Sequence, residues 1–387
     1  MKTIGIVCEY NPFHLGHRKQ FRQIREEFGQ DAAIVCLMSG NFVQRGMPAV
    51  FDKGIRAEAA LCCGADLVLE LPTTYALRSA EGFAAGGVEI LSKCCDHLCF
   101  GSEAGETATL MDTARALLHP DFPFALRQEL DKGRSFPAAR QRALGAMGVS
   151  GHLLSSPNDI LAVEYCKAIL SQNSPMSPYS IRREGSYHDT AADPENPSAT
   201  SLRALIEQGK DFTSFVPYQI RELFSAAPVH TLAAGEKAVL YRLRTMTDEE
   251  FEALPYGSEG LWRKLMHAAR SCATVQQIAS ATKSKRYTRT RIDRMILCAT
   301  LGITSQMLEA PAPYVRVLGF TGKCTTVLKR MRELGEFPHI GEKTAQEYEL
   351  LERKWDDLYS LFAVNHLEDP GKTQKRRVCI QTETPAE

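Results

Sequence analysis

Short apolar runs alternate with longer amphipathic stretches through the first hundred positions, and the alternation then stops. Thr3-Ile-Gly-Ile-Val-Cys8, Ala32-Ala-Ile-Val-Cys-Leu-Met38, Leu67-Val-Leu-Glu-Leu71 and His97-Leu-Cys-Phe100 are near-continuous apolar segments. Such runs fit strands buried on both faces. Between them, residues 18–28 carry Phe21, Ile24 and Phe28 at helical spacing, with Gly29 as a stop. A second helix is expected over 52–64, with Asp52 as its cap, and a third over 79–93, weakened by Gly82, Gly86 and Gly87. Strict strand–helix alternation implies right-handed crossovers and a parallel sheet. Residues 106–148 are helical by pattern, with a new helix starting at 136–140. An apolar-periodic helix at 160–170 follows Ser156 and Pro157, and 179–183 reads as a fifth strand. Beyond Gly209 the pattern is mostly helical to 309 and again over 351–366. A strand-like segment at 314–320 and a basic helix at 321–334 lie between those stretches. The organisation expected is an α/β parallel-sheet domain over 1–209, a mainly helical domain over 210–368, and a weakly ordered tail over 369–387.

Parallel sheets of this kind bind ligands beyond the carboxyl ends of their strands. The segments to search are therefore 9–17, 39–46 and 101–103. In the first, Glu9-Tyr-Asn-Pro-Phe-His14-Leu-Gly16-His17 joins a strand to a helix. A helix N-terminus offers unpaired N–H groups and a partial positive charge, which suits phosphate. His14 and His17 are three apart and share a face across the first turn. Gly16 between them leaves room for a ligand near the backbone. The plain alternative is a strand–helix turn with polar surface histidines. In the second segment, Asn41, Gln44 and Arg45 offer amide and guanidinium donors between Gly40 and Gly46. Gly101 ends a strand, where an adenine or ribose can lie against the backbone.

The chain has 387 residues, enough for two domains, and its net charge is zero, with 46 basic and 46 acidic residues. Any nucleic-acid contact must then come from local clustering. Lys283, Lys285, Arg286, Arg289, Arg291 and Arg294 fall within twelve positions against one acid, Asp293, with Tyr287 among them. That is a phosphate-binding footprint, with Arg286, Arg289 and Arg294 near one helical face. No run is long and apolar enough to cross a membrane, and Met1-Lys-Thr is expected to lead into the first strand rather than to open a signal peptide. The twelve cysteines lack metal-ligand spacing, so free thiols in a reducing cytoplasm and no protein-held metal are expected.

His14-Leu-Gly-His17 resembles the H-x-G-H signature of the nucleotidyltransferase superfamily. The longer string Gly5-Ile-Val-Cys-Glu-Tyr-Asn-Pro-Phe-His-Leu-Gly-His17 resembles the bacterial tRNA(Met) cytidine acetate ligases. Gly40-Asn-Phe-Val-Gln-Arg-Gly46, Asp66-Leu-Val-Leu-Glu-Leu-Pro72, Phe100-Gly-Ser-Glu103 and Ser156-Pro-Asn-Asp-Ile-Leu161 are similar to the same family in the same order. Asn196-Pro-Ser198-Ala-Thr200-Ser-Leu-Arg203 resembles the superfamily's second motif, hydrophobic-Ser-x-Thr-x-x-Arg, with Pro197 in place of the usual apolar residue. An N-capped helix explains Ser198 and Thr200 as well.

The resemblance implies a Rossmann-like nucleotidyltransferase fold. ATP would be contacted from Val7, Cys8, Glu9, Tyr10, Asn11, Pro12, Phe13, His14, Gly16, His17, Gly101, Asn158, Arg182, Arg183, Ser198 and Thr200. His14, His17 and Arg203 would be catalytic, and Mg²⁺ would be bound through the nucleotide phosphates. Asn41, Gln44 and Arg45, with Lys283, Lys285, Arg286, Arg289 and Arg291, would face the acceptor substrate. The implied reaction is acetate plus ATP giving acetyl-adenylate, then acetyl transfer to N4 of the wobble cytidine of elongator tRNA(Met), in the cytoplasm and without a protein partner. The residues alone leave two alternatives: an adenylyltransferase for a small phosphorylated metabolite, and a non-catalytic RNA-binding protein gated by nucleotide.

Overall fold

The computed structural model describes residues 1–183, 197–311, 314–333, 343–365, 368–371 and 375–381. The first half runs β1 (Thr3–Cys8), α1 (Leu15–Phe28), β2 (Ala33–Ser39), β3 (Phe42–Val43), β4 (Met47–Pro48), α2 (Lys53–Cys62), β5 (Leu67–Leu71), α3 (Thr73–Ala76), α4 (Ala80–Leu91) and β6 (His97–Ser102). It continues with α5 (Thr107–Leu118), α6 (Phe122–Asp131), α7 (Phe136–Ala146), α8 (Pro157–Ser171), β7 (Ser177–Arg182) and α9 (Ala199–Glu207). Helices then dominate: α10 (Arg221–Ser225), α11 (Glu236–Thr245), α12 (Asp248–Glu252), α13 (Leu261–Ser271), α14 (Val275–Thr282), α15 (Arg289–Leu301) and α16 (Ser305–Glu309). Last come β8 (Arg316–Thr321), α17 (Thr325–Glu333), α18 (Lys343–Tyr359) and β9 (Cys379–Gln381).

The main sheet has the order β7-β6-β1-β2-β5-β8-β9. Strands β7, β6, β1, β2 and β5 are parallel, β1 and β2 pairing from Thr3↔Ala33 to Cys8↔Met38. Period-2 alternation divides the side chains between the two faces. Ile4, Ile6, Ile34, Cys36 and Met38 pack with Phe21, Ile24 and the apolar face of α2. Val35, Leu37, Leu67, Leu69 and Leu98 pack with α4, α5 and α8 on the other face. The chain leaves β1 toward β2 on one side and returns to β6 on the other, so the crevice beyond Cys8 and Ser102 is the topological switch point.

Three expectations are corrected. The strand expected at 314–320 forms over Arg316–Thr321, and it does not stay with the helices: β8 pairs antiparallel with β5 and extends the first half's sheet. The tail from 369 contains ordered structure, since β9 pairs parallel with β8 and Arg376 bonds to Glu58 (2.8 Å) on α2. Three residues in a polar stretch are too few to show a period, which hid β9. The basic stretch is not one helix. Thr288 caps α15, which starts at Arg289, so Arg286 lies before the helix and shares no face with Arg289 and Arg294. The helical half has its own core around Trp355, Tyr359, Leu265 and Met295, and Phe42 of the β3–β4 hairpin is inserted into it.

Candidate active site

Beyond β1 the backbone turns sharply, with Tyr10 at a left-handed φ of 44° and a cis Asn11–Pro12 bond. Tyr10 and Phe13 pack edge to face, with ring centroids 4.9 Å apart, and anchor the loop inward. His14 is the N-cap of α1. Its Nδ1 accepts from the Gly16 N–H (3.1 Å), while its own N–H donates to His17 Nδ1 (3.2 Å). The arrangement is a capping box built from imidazoles. The two rings stack with centroids 3.7 Å apart. Because both Nδ1 atoms accept, each neutral ring carries its hydrogen on Nε2, the atom left to donate to a ligand. Burial, then Arg183 and Arg203, lowers the His14 pKa to about 3. Burial, His14 and Arg183 depress His17 as well. Both rings are therefore neutral donors at physiological pH in the free protein.

The N-terminus of α9 closes on the same loop. Arg203 donates from Nη1 to the Asn11 carbonyl (2.7 Å) and from Nη2 to Thr200 Oγ1 (3.1 Å), and Ser198 caps the helix through the Ser201 N–H. At the end of β7, the Arg183 side chain lies along Gly101, where a Cβ would meet its Cδ at 3.0 Å. The third helix N-terminus is that of α8. Glu103 accepts from Asn158 Nδ2 (2.7 Å), the Asp159 N–H (3.0 Å) and Ser156 Oγ (3.2 Å), and Asp159 ties back to Ser102 Oγ (2.5 Å). Two neutral imidazole donors, two guanidinium groups and the N-termini of α1 and α9 thus meet at the switch point, while that of α8 is taken by Glu103. That set can hold a polyphosphate and stabilise charge building on it.

The family model for HIGH nucleotidyl transferases matches residues 1–374. The chain is 34% identical over 403 residues to the tRNA(Met) cytidine acetate ligase of Clostridium acetobutylicum, covering 98% of this chain and 100% of that protein. It is 38% identical over 365 residues to that of Caldanaerobacter subterraneus, covering 89% of this chain and 90% of that protein. The chain belongs to this family. Among solved structures, it superposes on apo Thermotoga maritima TmcAL with a TM-score of 0.90 at 30% identity, over 99% of this chain and all of the other. The same protein bound with alpha-thio ATP superposes with a TM-score of 0.88 and the same coverage. A nucleotide-binding α/β fold is therefore established for this chain's relatives by structure as well as by sequence.

The sequence-derived candidates divide into those at the crevice and those turned inward. His14, His17, Gly101, Asn158, Arg183, Ser198, Thr200 and Arg203 lie around the crevice, and Arg182 stays exposed beside Gly105. Cys8, Tyr10, Asn11, Pro12 and Phe13 are buried: the Cys8 thiol donates to the Leu37 carbonyl (3.7 Å) and Asn11 Oδ1 accepts from the Val50 N–H (2.7 Å). Val7 packs toward α4 at Gly87. These residues shape the loop, and only their backbone can face a ligand. Gly16 serves a different purpose from the one expected. A Cβ there would stand 3.0 Å from the His14 ring, so glycine makes room for the capping imidazole. Asn41 is buried and bonded to the Lys53 N–H (2.8 Å) and Asp356 (2.9 Å), so it is structural and does not face a substrate. Gln44 and Arg45 sit on the β3–β4 turn near the crevice.

The basic stretch is less bare than its sequence. Arg286 pairs with Glu259 (2.8 Å), Arg289 with Asp293 (2.7 Å), and Arg291 donates to the Tyr256 carbonyl (2.8 Å). Lys283, Lys285 and Arg286 remain exposed. Sequence reasoning missed Arg56. It is fully buried, and donates to the carbonyls of Glu9 (2.6 Å), Ser39 (3.1 Å), Phe51 (2.9 Å) and Gly40, stitching the ends of β1 and β2 together. A lone arginine in a helix looks like surface, and nothing in its neighbours' types says otherwise. Among the described residues no cluster of His, Cys, Asp and Glu is arranged to hold a metal ion.

Proposed function

We propose that this chain is an ATP-dependent ligase that activates acetate as acetyl-adenylate and transfers the acetyl group to N4 of the wobble cytidine of elongator tRNA(Met). The observation that carries the reading is the pair of stacked, neutral histidines capping α1, each with its hydrogen on Nε2, facing Arg183 and Arg203. An acetate oxygen attacks the α-phosphorus, and the bond to the departing pyrophosphate breaks. His14 and His17 stabilise charge on the phosphates, and Arg203, with Ser198 and Thr200, holds the leaving end. Magnesium, bound through the nucleotide's own phosphate oxygens, would neutralise part of that charge. In this reading residues 1–209 supply the ATP site and 210–368 the RNA contacts, with the exposed Lys283, Lys285 and Arg286 touching tRNA phosphates and Arg289 and Arg291 bracing them. Among the described residues no helix is long and apolar enough to cross a membrane, and we place the reaction in the cytoplasm.

The test is acetate-dependent exchange of pyrophosphate into ATP, run beside incorporation of labelled acetate into tRNA. Exchange without RNA, and incorporation only into tRNA(Met), are expected. An adenylyltransferase for a phosphorylated metabolite would show neither acetate dependence nor any response to tRNA.

A further inference from the structure

Glu9 is a carboxylate in a crevice whose donors suit anions, and the other carboxylate described there, Glu103, is already spent on Ser156, Asn158 and the Asp159 N–H. It follows β1 directly, its carbonyl is gripped by Arg56 (2.6 Å), and its Oε1 accepts from the Gln44 N–H (2.7 Å). Its Oε2 makes no hydrogen bond or ion pair among the described residues, and the side chain is only partly buried. Burial weakens the charged form of the Arg203 guanidinium, and Glu9 is the main group opposing that. A carboxylate there repels triphosphate and acetate, so it does not hold those groups. It favours a partner that brings N–H hydrogens.

The flank it occupies narrows the choice. Gly101 and Arg183 lie on the β6–β7 side of β1, whereas Glu9 is tied to the β3–β4 turn on the β2 side. The same Gln44 that donates to Glu9 accepts, through its carbonyl, from Arg294 Nη1 (3.3 Å) of α15. At Gly46, with φ of 76°, a Cβ would run into the backbone of Asp293 and Arg294. The turn that fixes Glu9 is thus seated on α15, the helix that carries the second half of the basic stretch. The reacting cytidine would enter from this side, and its N4 amino group presents the donor hydrogens a carboxylate reads.

We propose that Glu9 accepts an N4 hydrogen of the acceptor cytidine, selecting cytidine over uridine and removing the proton during transfer. This rests on the acetyl-ligase reading above. As the N4 lone pair attacks the acetyl carbonyl, the C–N bond forms and the carbonyl C–O bond to the adenylate breaks. The electron pair leaves on AMP, and the N4 proton passes to Glu9 Oε2 and then to water.

The experiment uses the full chain with Glu9→Gln and Glu9→Asp, and two tRNA(Met) transcripts carrying cytidine or uridine at the wobble position. Binding of both transcripts, acetate-dependent pyrophosphate exchange, and acetyl transfer are measured on the same preparations. A carboxylate repels the uridine O4, whereas a glutamine amide can donate to it. Glu9→Gln should therefore shift the cytidine-over-uridine binding ratio by about tenfold or more toward uridine. It should also lower the ratio of transfer to exchange by about 10²-fold, the scale of losing a general base. Glu9→Asp should keep the cytidine preference. An unchanged preference in Glu9→Gln, or exchange and transfer falling by one factor, overturns the proposal and puts the carboxylate at the ATP or its metal. Absence of acetate-dependent exchange in the unmodified chain would instead remove the reading beneath it.

Discussion

Lys53 is the residue whose loss should most disturb the joint between sheet and helices. It is 2% exposed, and its ammonium lies 2.6 Å from Glu70 and 2.8 Å from Asp356, which joins β5 to α18. Arg316 of β8 stands farther off, 3.7 Å from Glu70 and 3.8 Å from Asp356, while Glu352 bonds to Thr73 (2.7 Å). Burial opposes the ammonium, but Asp356 and Glu70 outweigh it and hold the lysine protonated. Lys53→Met leaves three buried carboxylates facing one partly exposed guanidinium. Removing one partner of a buried pair costs about 3–5 kcal/mol. With an unfolding entropy of roughly 2.1 cal/mol/K per residue over 387 residues, that is a fall in Tm of about 4–6 °C.

The pH dependence makes the test specific. Burial already pushes the Asp356 carboxyl up to about 7, and raises Glu352. A carboxyl with a folded pKa above its unfolded value binds more protons when folded. Its penalty is therefore absent at low pH and grows as pH rises from about 4 through the folded value. Removing Lys53 raises these values further, so the deficit relative to wild type should be small at pH 5 and full at pH 8. Adding Asp356→Asn should recover part of it. Thermal melts at both pH values give the answer. An equal deficit at pH 5 and 8, or none at pH 8, would refute the argument that Lys53 compensates buried carboxylates.

Four further expectations follow, three from the crevice and one from the basic stretch. His17→Ala should cut acetate-dependent pyrophosphate exchange by about 10²-fold, the scale of one lost preorganised donor, with wild-type exchange as the contrary result. His14→Ala should in addition lower stability by about 0.5–2 kcal/mol in denaturant melts, because His14 caps α1. Arg203→Ala should weaken ATP far more than AMP in equilibrium binding, and equal weakening would make the arginine a tether of Asn11 alone. Replacing Lys283, Lys285 and Arg286 by glutamine should slow acetyl transfer while the salt dependence of tRNA binding loses roughly one unit of slope per phosphate contact removed. An unchanged slope would move the RNA elsewhere.

The sheet was legible because its strands are buried on both faces. Ala33–Ser39 and Leu67–Leu71 contain almost nothing but apolar residues, and helices α2 and α4 end within two positions of where their stops and caps put them. His14 and His17 were legible as a spacing, but their capping role was not, since it depends on ring orientations. The hairpin Phe42–Val43 with Met47–Pro48 escaped because two-residue strands carry no period. Lys53 and Arg56 escaped for a deeper reason. Charge in a sequence argues for surface, and only the fold shows which carboxylates and carbonyls have gathered to meet it. The basic stretch erred the other way, because Glu259, remote in sequence, is the acid that meets Arg286.

The most direct measurement follows one oxygen atom. If acetate is activated as acetyl-adenylate at His14, His17 and Arg203, its oxygen bridges carbon and phosphorus, and stays with phosphorus when the acetyl group leaves. Turnover with ¹⁸O-labelled acetate, ATP and tRNA(Met) should release AMP carrying one labelled oxygen, with unlabelled pyrophosphate. Unlabelled AMP, or ADP with labelled phosphate, would contradict adenylate formation at this site.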